Sequence, residues 1–136
     1  MRKMALIVTA SLLIGGAGVA IAKRDRTPPE AKEAGKPLSC IPLRQIRESR
    51  VYGDDTIDFR MIGNKTYRNK LPYGCPQLGF EERFSYTTSL SVLCSTDIIT
   101  VLNTTGGGLD RGASCGLGEF QPVEIVKNRR KVNPGC

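Results

Sequence analysis

The segment "TIDFRMIGNKTYRNKL", residues 56–71, decides the fold because it contains the pattern of a complete β-hairpin. Three apolar residues alternate with polar ones on the incoming strand: Ile57, Phe59 and Met61. Gly63-Asn64 is a pair typical of a two-residue hairpin turn. Three residues then share one face of the returning strand: Tyr67, Asn69 and Leu71. The segment therefore predicts two antiparallel strands with one common apolar face.

Further strands are predicted on both sides of this hairpin. Residues 43–52 form a strand that enters it through the turn Gly53-Asp54-Asp55, which completes a three-strand meander. Downstream strands are predicted over three ranges: 83–90, 97–103 and 114–123, the last ended by Pro122. The stretch "FEERF" also fits one helical turn with Phe80 and Phe84 on one side, and the sequence leaves this open. The expected fold is mainly β, a single small antiparallel sandwich or partly open barrel stapled by disulfides.

The two ends of the chain differ in composition from its centre. Residues 1–22 combine Arg2 and Lys3, an apolar run and the ending Ala20-Ile21-Ala22, which predicts a signal peptide cleaved before Lys23 rather than a membrane anchor. We expect a periplasmic or secreted protein. Residues 23–36 have the charge and proline content of a flexible linker, residues 37–124 form the β domain, and residues 125–136 form a basic disordered tail.

The sequence contains five cysteines and no histidine, which excludes Cys-His nucleophiles and His-containing metal sites. Their intervals of 35, 19, 21 and 21 residues lack the close pair typical of zinc sites, so disulfides are expected. Strand geometry removes a Cys40–Cys75 link, because these residues would lie at opposite ends of the meander. Two pairings remain. The one with Cys40–Cys115 and Cys75–Cys94 is preferred, because first and last strands often become neighbours, over the one with Cys40–Cys94 and Cys75–Cys115. Cys136 is left as a free thiol that could form a disulfide dimer.

The net charge of +7 does not describe the predicted domain. Residues 37–122 contain nine basic and nine acidic residues, so the excess lies towards the two ends of the chain. No nucleic-acid-binding face is expected on the domain, and no specific nucleic-acid partner. Weak attraction of the basic tail to an anionic lipid or polysaccharide surface stays an open alternative to a plainly solvated tail.

Several short motifs together resemble one protein family. Cys40 is followed by "RQIRESRVYGDDTIDFRM", "LPYGCPQLGF", "LCSTDIITVL" and "ASCGLGEFQPV". Over residues 38–123 this pattern resembles a family of small exported bacterial proteins with a four-cysteine frame and no known function. The resemblance implies export and a compact cysteine-bridged domain, and it implies no catalytic residue or cofactor.

Candidate sites in the sequence have simpler structural interpretations. The stretch "TTGGGLD", residues 104–110, lacks the spacing of a phosphate-binding loop and is expected to be a hairpin loop. Arg44, Arg47 and Arg50 could form an anion site on a helix, but on a strand they are ordinary solvated charges. Three acidic residues could bind calcium or could instead stabilise a turn: Asp54, Asp55 and Asp58.

Two function classes follow from this pattern. The leading hypothesis is a non-catalytic, cofactor-free binding or structural module that contacts an unknown component of the cell envelope. The alternative is a small hydrolase with a carboxylate pair. Its candidate residues are Asp54, Asp58, Glu81 and Glu82.

Overall fold

The computed structural model describes residues 27–127. It contains ten strands and one helical turn, α1. The strands are β1 Ala31–Glu33, β2 Cys40–Pro42, β3 Ile46–Tyr52, β4 Thr56–Met61, β5 Thr66–Lys70, β6 Phe84–Tyr86, β7 Val92–Cys94, β8 Ile98–Asn103, β9 Asp110–Gly116 and β10 Phe120–Ile125. The α-helical turn is α1 Leu78–Glu81, and 3₁₀ turns span Leu43–Gln45 and Thr105–Gly107.

The strands form three antiparallel sheets. The largest sheet has the order β1-β10-β5-β4-β3, a second has the order β6-β8-β9, and β2 pairs with β7. Every strand pair is antiparallel. This confirms a mainly β, antiparallel fold, and the sheets do not close into a barrel.

The predicted hairpin forms the centre of the five-stranded sheet. Residues on β4 and β5 face each other in register, for example Phe59 opposite Tyr67. The loop is one residue longer than predicted, because the Met61 N–H donates to the Lys65 carbonyl and leaves three residues between them. Gly63 and Asn64 both adopt positive φ, at 89° and 65°, which glycine and asparagine tolerate better than other residues. The three-strand meander β3-β4-β5 is confirmed.

One apolar core lies between the sheets. Its buried members come from all three sheets, from α1 and from the connecting segments: Ile41, Ile57, Phe59, Met61, Leu71, Cys75, Leu78, Leu93, Ile99, Val101, Leu117 and Phe120. Phe59 lies at its centre and makes edge-to-face contacts with Phe84, at 6.4 Å between ring centroids, and with Phe120, at 5.6 Å. The inward residues of β4 thus join the five-stranded sheet to the rest of the fold.

The prediction of a flexible linker over residues 23–36 is wrong for residues 31–33. Strand β1 pairs with β10, with Ala31 opposite Ile125, and the Val126 N–H donates to the Glu30 carbonyl. Strand pairing uses backbone groups and needs few apolar side chains, so composition did not reveal it. The domain therefore begins before residue 37, and β10 extends past the predicted boundary at residue 124.

The downstream strands differ from the prediction in three ways. Residues 83–90 contain only the short strand β6, and α1 forms the helical turn just before it. The range 114–123 covers parts of two strands, β9 and β10. Pro122 lies inside β10 and does not end it. This is tolerated because alternation puts the nitrogen of Pro122, like those of Phe120 and Val126, on the side of the edge segment rather than of β5, and the Pro122 carbonyl still accepts the Ala34 N–H at 2.9 Å.

Three predictions lie outside the described residues: the signal peptide, the cleavage site before Lys23 and the thiol of Cys136. Most of the basic tail also lies outside them. Over residues 27–127, no helix has the length and apolar character needed to cross a membrane.

Candidate functional site

The four cysteines of the domain form two disulfides, as predicted, but the preferred pairing is wrong. The structure joins Cys40 to Cys94 and Cys75 to Cys115, which is the other of the two pairings that the sequence allowed. Cys40 and Cys94 lie directly opposite each other on β2 and β7. Strand β2 pairs with β7 and takes no part in the five-stranded sheet, so the first and last strands of the cysteine frame are not neighbours.

The two disulfides indicate the compartment in which the protein works. Both are intramolecular, with Cα–Cα distances of 4.0 Å and 5.6 Å. Structural disulfides persist in oxidising spaces and are rare in the cytosol. The chain is therefore a protein of an oxidising, non-cytoplasmic compartment.

Asp54 is a structural residue of the turn after β3. Its carbonyl accepts the Cys75 N–H at 2.6 Å, and its Oδ1 accepts the Gly79 N–H at 2.8 Å. A Cβ at Gly79 would lie 2.6 Å from the carbonyl carbon of Gly53, so only glycine fits there. Asp54 thus fixes both the disulfide-bonded Cys75 and the start of α1, as the turn interpretation predicted.

The other candidate carboxylates serve separate parts of the fold. Asp55 accepts the Thr56 hydroxyl at 2.9 Å, within the same turn. Glu81 accepts the backbone N–H and the hydroxyl of Thr104, at 3.3 and 3.0 Å, and so connects α1 to the loop after β8. Glu82 ends α1 with a φ of 52°. Within residues 27–127, no group of three or more Cys, Asp or Glu side chains is arranged to hold a metal ion.

The motif "CGLG" also has a structural explanation. Asn69 is completely buried on β5, and its amide donates to the Gly118 carbonyl at 2.6 Å and accepts the Gly118 N–H at 2.9 Å. A Cβ at Gly118 would collide with the Lys70 carbonyl. The last glycine of the motif therefore fixes the turn between β9 and β10 to the central sheet.

The loop at residues 104–110 is the predicted hairpin loop, joining β8 to β9. Its 3₁₀ turn contains Gly106 and Gly107 at φ values of 76° and 84°. It precedes a strand rather than a helix, so it lacks the structure of a phosphate-binding loop.

The polar side of the five-stranded sheet, which faces away from the core, carries a dense set of charges. We call it the ionic face, and define it by seven residues on β3, β4 and β5: Glu48, Arg50, Tyr52, Asp58, Arg60, Thr66 and Arg68. Its residues alternate along each strand with the core residues, which is why all of them point to one side.

The pair Asp58–Arg68 is the buried part of the ionic face. Arg68 donates through Nε and Nη2 to the two carboxylate oxygens of Asp58, both at 2.8 Å. The Asp58 side chain is 3 % exposed and that of Arg68 12 %. Nη2 also donates to the Pro29 carbonyl at 3.0 Å, so the N-terminal segment contributes to this pair. Hydrogen bonding to Asp58 raises the pKa of Arg68 above its ordinary value.

The exposed part of the ionic face is a group of two arginines on one carboxylate. Arg50 donates through Nε to Glu48 Oε1 at 2.7 Å, and Arg60 donates through Nη1 to Glu48 Oε2 at 3.3 Å. Both arginine side chains are about half exposed. The hydrogen bond from Arg50 is the main cause that lowers the pKa of Glu48, and Glu48 in turn raises that of Arg50. One positive charge of this group has no carboxylate of its own.

Two adjoining concavities lie on the ionic face, with volumes of about 320 Å³ and 620 Å³. They share Arg60, Thr66 and Ile125. Five basic residues line them: Arg47, Arg50, Arg60, Lys65 and Lys127. Three acidic residues do so as well: Glu48, Asp58 and Glu124. Because Asp58 is already paired with Arg68, the positive charge dominates.

Three arginines were considered in the sequence as a possible anion site, Arg44, Arg47 and Arg50, and the structure places two of them at the concavities of the ionic face. Arg47 lines the larger concavity and Arg50 the smaller one, whereas Arg44 lies in the 3₁₀ turn before β3. Sequence reasoning missed Arg60 and Arg68. Their alternation with the apolar residues of the hairpin was the available signal, since it puts them on the face opposite Phe59.

Comparison of the chain with protein-family models, with curated proteins and with solved structures found no match. The resemblance to a family of small exported bacterial proteins therefore stays a prediction.

Proposed function

We propose that this chain is an exported protein, periplasmic or secreted, that serves as a non-catalytic binding or structural module of the cell envelope. The observation that carries the proposal is the contrast between the two sets of charged residues. The carboxylates considered for hydrolysis hold turns and helix α1 in place, or, for Asp58, pair with Arg68. The half-exposed arginines of the ionic face line concavities that can accept a partner.

The disulfide frame supports this proposal. Two crosslinks in a domain of about a hundred residues give a surface that needs little reordering on binding, and preorganisation of this kind favours affinity. A glycosidase-like carboxylate pair would need two carboxyl groups separated by about 5–10 Å across a cleft. Each of these carboxylates instead has a structural partner: Asp54 accepts the Gly79 N–H of α1, Glu81 accepts from Thr104 in the loop after β8, and Asp58 pairs with Arg68.

The test is chemical crosslinking in the native cells, followed by fractionation and purification of the tagged chain. We expect the chain in the periplasm or the medium, with both disulfides formed, and crosslinked to an envelope component. Replacing Arg50 and Arg60 by glutamine should reduce that crosslink, while the matched change of Arg83 and Arg111 should leave it intact. A reduced, cytoplasmic chain, or one with no reproducible crosslink, would contradict the proposal.

A further inference from the structure

The ionic face has more positive charge than its own carboxylates can balance. Across its two concavities five basic residues meet three acidic ones, and Arg68, paired with Asp58, adds a sixth basic residue to the same face. Taken together, the ionic face and the residues that line its two concavities therefore have a net charge of +3, from six positive and three negative groups. Residues 37–122 are neutral as a whole, so the distribution of charge is uneven. Such a local excess attracts anionic partners.

The two ends of the described chain lie beside the two concavities. Thr27, the first described residue, lines the smaller concavity, and Lys127, the last, lines the larger one. Residues 23–26 contain three basic residues and one acidic residue, and residues 128–131 contain three basic residues. Both ends of the described chain thus lie at the ionic face.

The arginine pair is oriented before any partner binds. Glu48 accepts one hydrogen bond from Arg50 and one from Arg60, so a single carboxylate fixes both side chains beside the concavities. Each guanidinium has five N–H donors, and Glu48 uses one from each. The remaining donors are suited to two-point contacts with a carboxylate, phosphate or sulfate group.

The lining distinguishes between classes of anionic partner. Within residues 27–127, none of the large apolar side chains that are strongly exposed, such as Tyr73 and Phe80, lines either concavity. Insertion into a membrane would need such side chains here. The one aromatic ring in the lining, that of the partly buried Tyr52, provides no row of rings on which successive unpaired bases could stack. Hydroxyl and amide groups instead accompany the charges: Thr27, Tyr52, Asn64 and Thr66. This combination matches a polymer rich in hydroxyl groups and negative charge.

We infer that the ionic face is a binding site for a linear acidic polysaccharide, whose oxyanion groups contact Arg50 and Arg60 in the two adjoining concavities. The inference rests on the proposed function, since it names the ligand class of that binding module. Glu48 is the positioning residue of this site, and Arg47, Lys65 and Lys127 extend the positive surface along the polymer.

The test measures binding of the chain from Lys23 to Cys136, with Cys136→Ser to prevent dimers, to polygalacturonate of defined length by titration calorimetry. A neutral glucan of matched length is the control ligand. We expect binding to polygalacturonate alone, weakened by added salt. Arg50→Gln with Arg60→Gln should reduce affinity at least about tenfold, as loss of one charge-assisted hydrogen bond would. Arg83→Gln with Arg111→Gln, which removes the same charge just before β6 and on β9, should change it less than about twofold.

A second variant separates arginine geometry from charge. Arg50→Lys with Arg60→Lys keeps both charges and should bind between wild type and the glutamine variant, because lysine lacks the planar fork. The inference would be overturned if either variant of Arg50 and Arg60 bound polygalacturonate as tightly as the wild type. It would also be overturned if the Arg83 and Arg111 variant lost as much affinity as the glutamine variant of Arg50 and Arg60. Chemical unfolding of each variant verifies that the fold is retained.

Two further ligands distinguish the partner classes: vesicles of equal parts phosphatidylglycerol and phosphatidylcholine, and a thymidine oligonucleotide. Tighter binding to either than to polygalacturonate would overturn the polysaccharide assignment. If the chain crosslinks to an envelope component in cells but does not bind polygalacturonate, the inference fails while the proposed function stands. If the chain is cytoplasmic, both fail.

Discussion

Two regions of this molecule are fastened by the same kind of bond in different surroundings. Cys75–Cys115 joins the chain after β5 to strand β9, and Cys75 is 1 % exposed within the core. Cys40–Cys94 joins the two short strands β2 and β7, and Cys40 is exposed. The ion pairs repeat this contrast, with Asp58–Arg68 buried and Glu48 exposed between two arginines. We therefore expect the burial of each bond, more than its type, to determine the loss of stability when that bond is removed.

The largest expected effect comes from the disulfides. Their sequence separations of 54 and 40 residues give closely similar losses, about 4 kcal/mol each, in the chain-entropy model. Replacing Cys75 and Cys115 by alanine should destabilise by about 1 kcal/mol more than replacing Cys40 and Cys94, because it also leaves a cavity in the core. Urea unfolding of the two double variants measures the difference. Equal losses would show that the entropy of the unfolded chain alone accounts for the effect of each disulfide and that burial of Cys75 adds nothing.

The buried ion pair should give the next largest effect. Arg68→Ala leaves the Asp58 carboxylate buried without its partner, and we expect a loss of about 3 kcal/mol in the free energy of unfolding. The matched change on the exposed group, Arg60→Ala, should cost less than about 1 kcal/mol. Denaturant unfolding at neutral pH measures both. Similar costs would mean that water reaches Asp58 and Glu48 equally.

Removing the N-terminal segment tests whether its burial of Asp58–Arg68 makes Arg68→Ala more costly than Arg60→Ala. A chain that starts at Pro37 lacks β1 and the Pro29 carbonyl that accepts from Arg68, and we expect it to fold with a loss of about 2 kcal/mol. In the shortened chain Arg68→Ala should cost only about 1 kcal/mol, because the pair is then partly solvated. An unchanged cost of Arg68→Ala would show that the sheet alone buries the pair. Unfolding of the four chains forms a double-mutant cycle.

The features predicted from the sequence are those in which interacting residues lie close along the chain. The β4-β5 hairpin follows from alternation and from Gly63-Asn64, and the meander from the turn before it. The features missed join distant residues. Pairing of β1 with β10 spans about ninety residues and uses backbone groups, and the choice between the two disulfide pairings depended on the pairing of β2 with β7. Local pattern carries no information on either point.

Only part of the ionic face and its concavities could be predicted from the sequence, for the same reason. Arg47 and Arg50 are close together in one segment. Arg60 and Arg68 join them only because β4 pairs with β3, and β5 with β4, in one register. Glu48 and Asp58 were each paired to an arginine on a neighbouring strand. A register argument applied to the polar residues of the hairpin, as it was to the apolar ones, would have found these pairs.

The smallest expected effect concerns the pKa of Glu48. Hydrogen bonds from Arg50 and Arg60 lower this pKa in the folded chain below the value in the unfolded chain. A lowered pKa contributes stability that is present above the unfolded pKa and is lost as the pH falls through the folded one. Because Glu48 is exposed, that contribution should stay below about 1 kcal/mol and weaken in salt.

NMR titration of the Glu48 carboxyl group measures this pKa directly. Arg50→Gln should raise it more than Arg60→Gln does, because the Arg50 bond is shorter, 2.7 Å against 3.3 Å, and is the largest cause of the shift. Glu48→Gln should remove the corresponding acid-dependent loss of stability while leaving Asp58–Arg68 in place. If both arginine variants shift the pKa equally, the two arginines share the carboxylate evenly in solution. Glu48 would then hold Arg50 no more firmly than Arg60, and the difference between their hydrogen-bond lengths would have no effect on the pKa of this exposed carboxyl group.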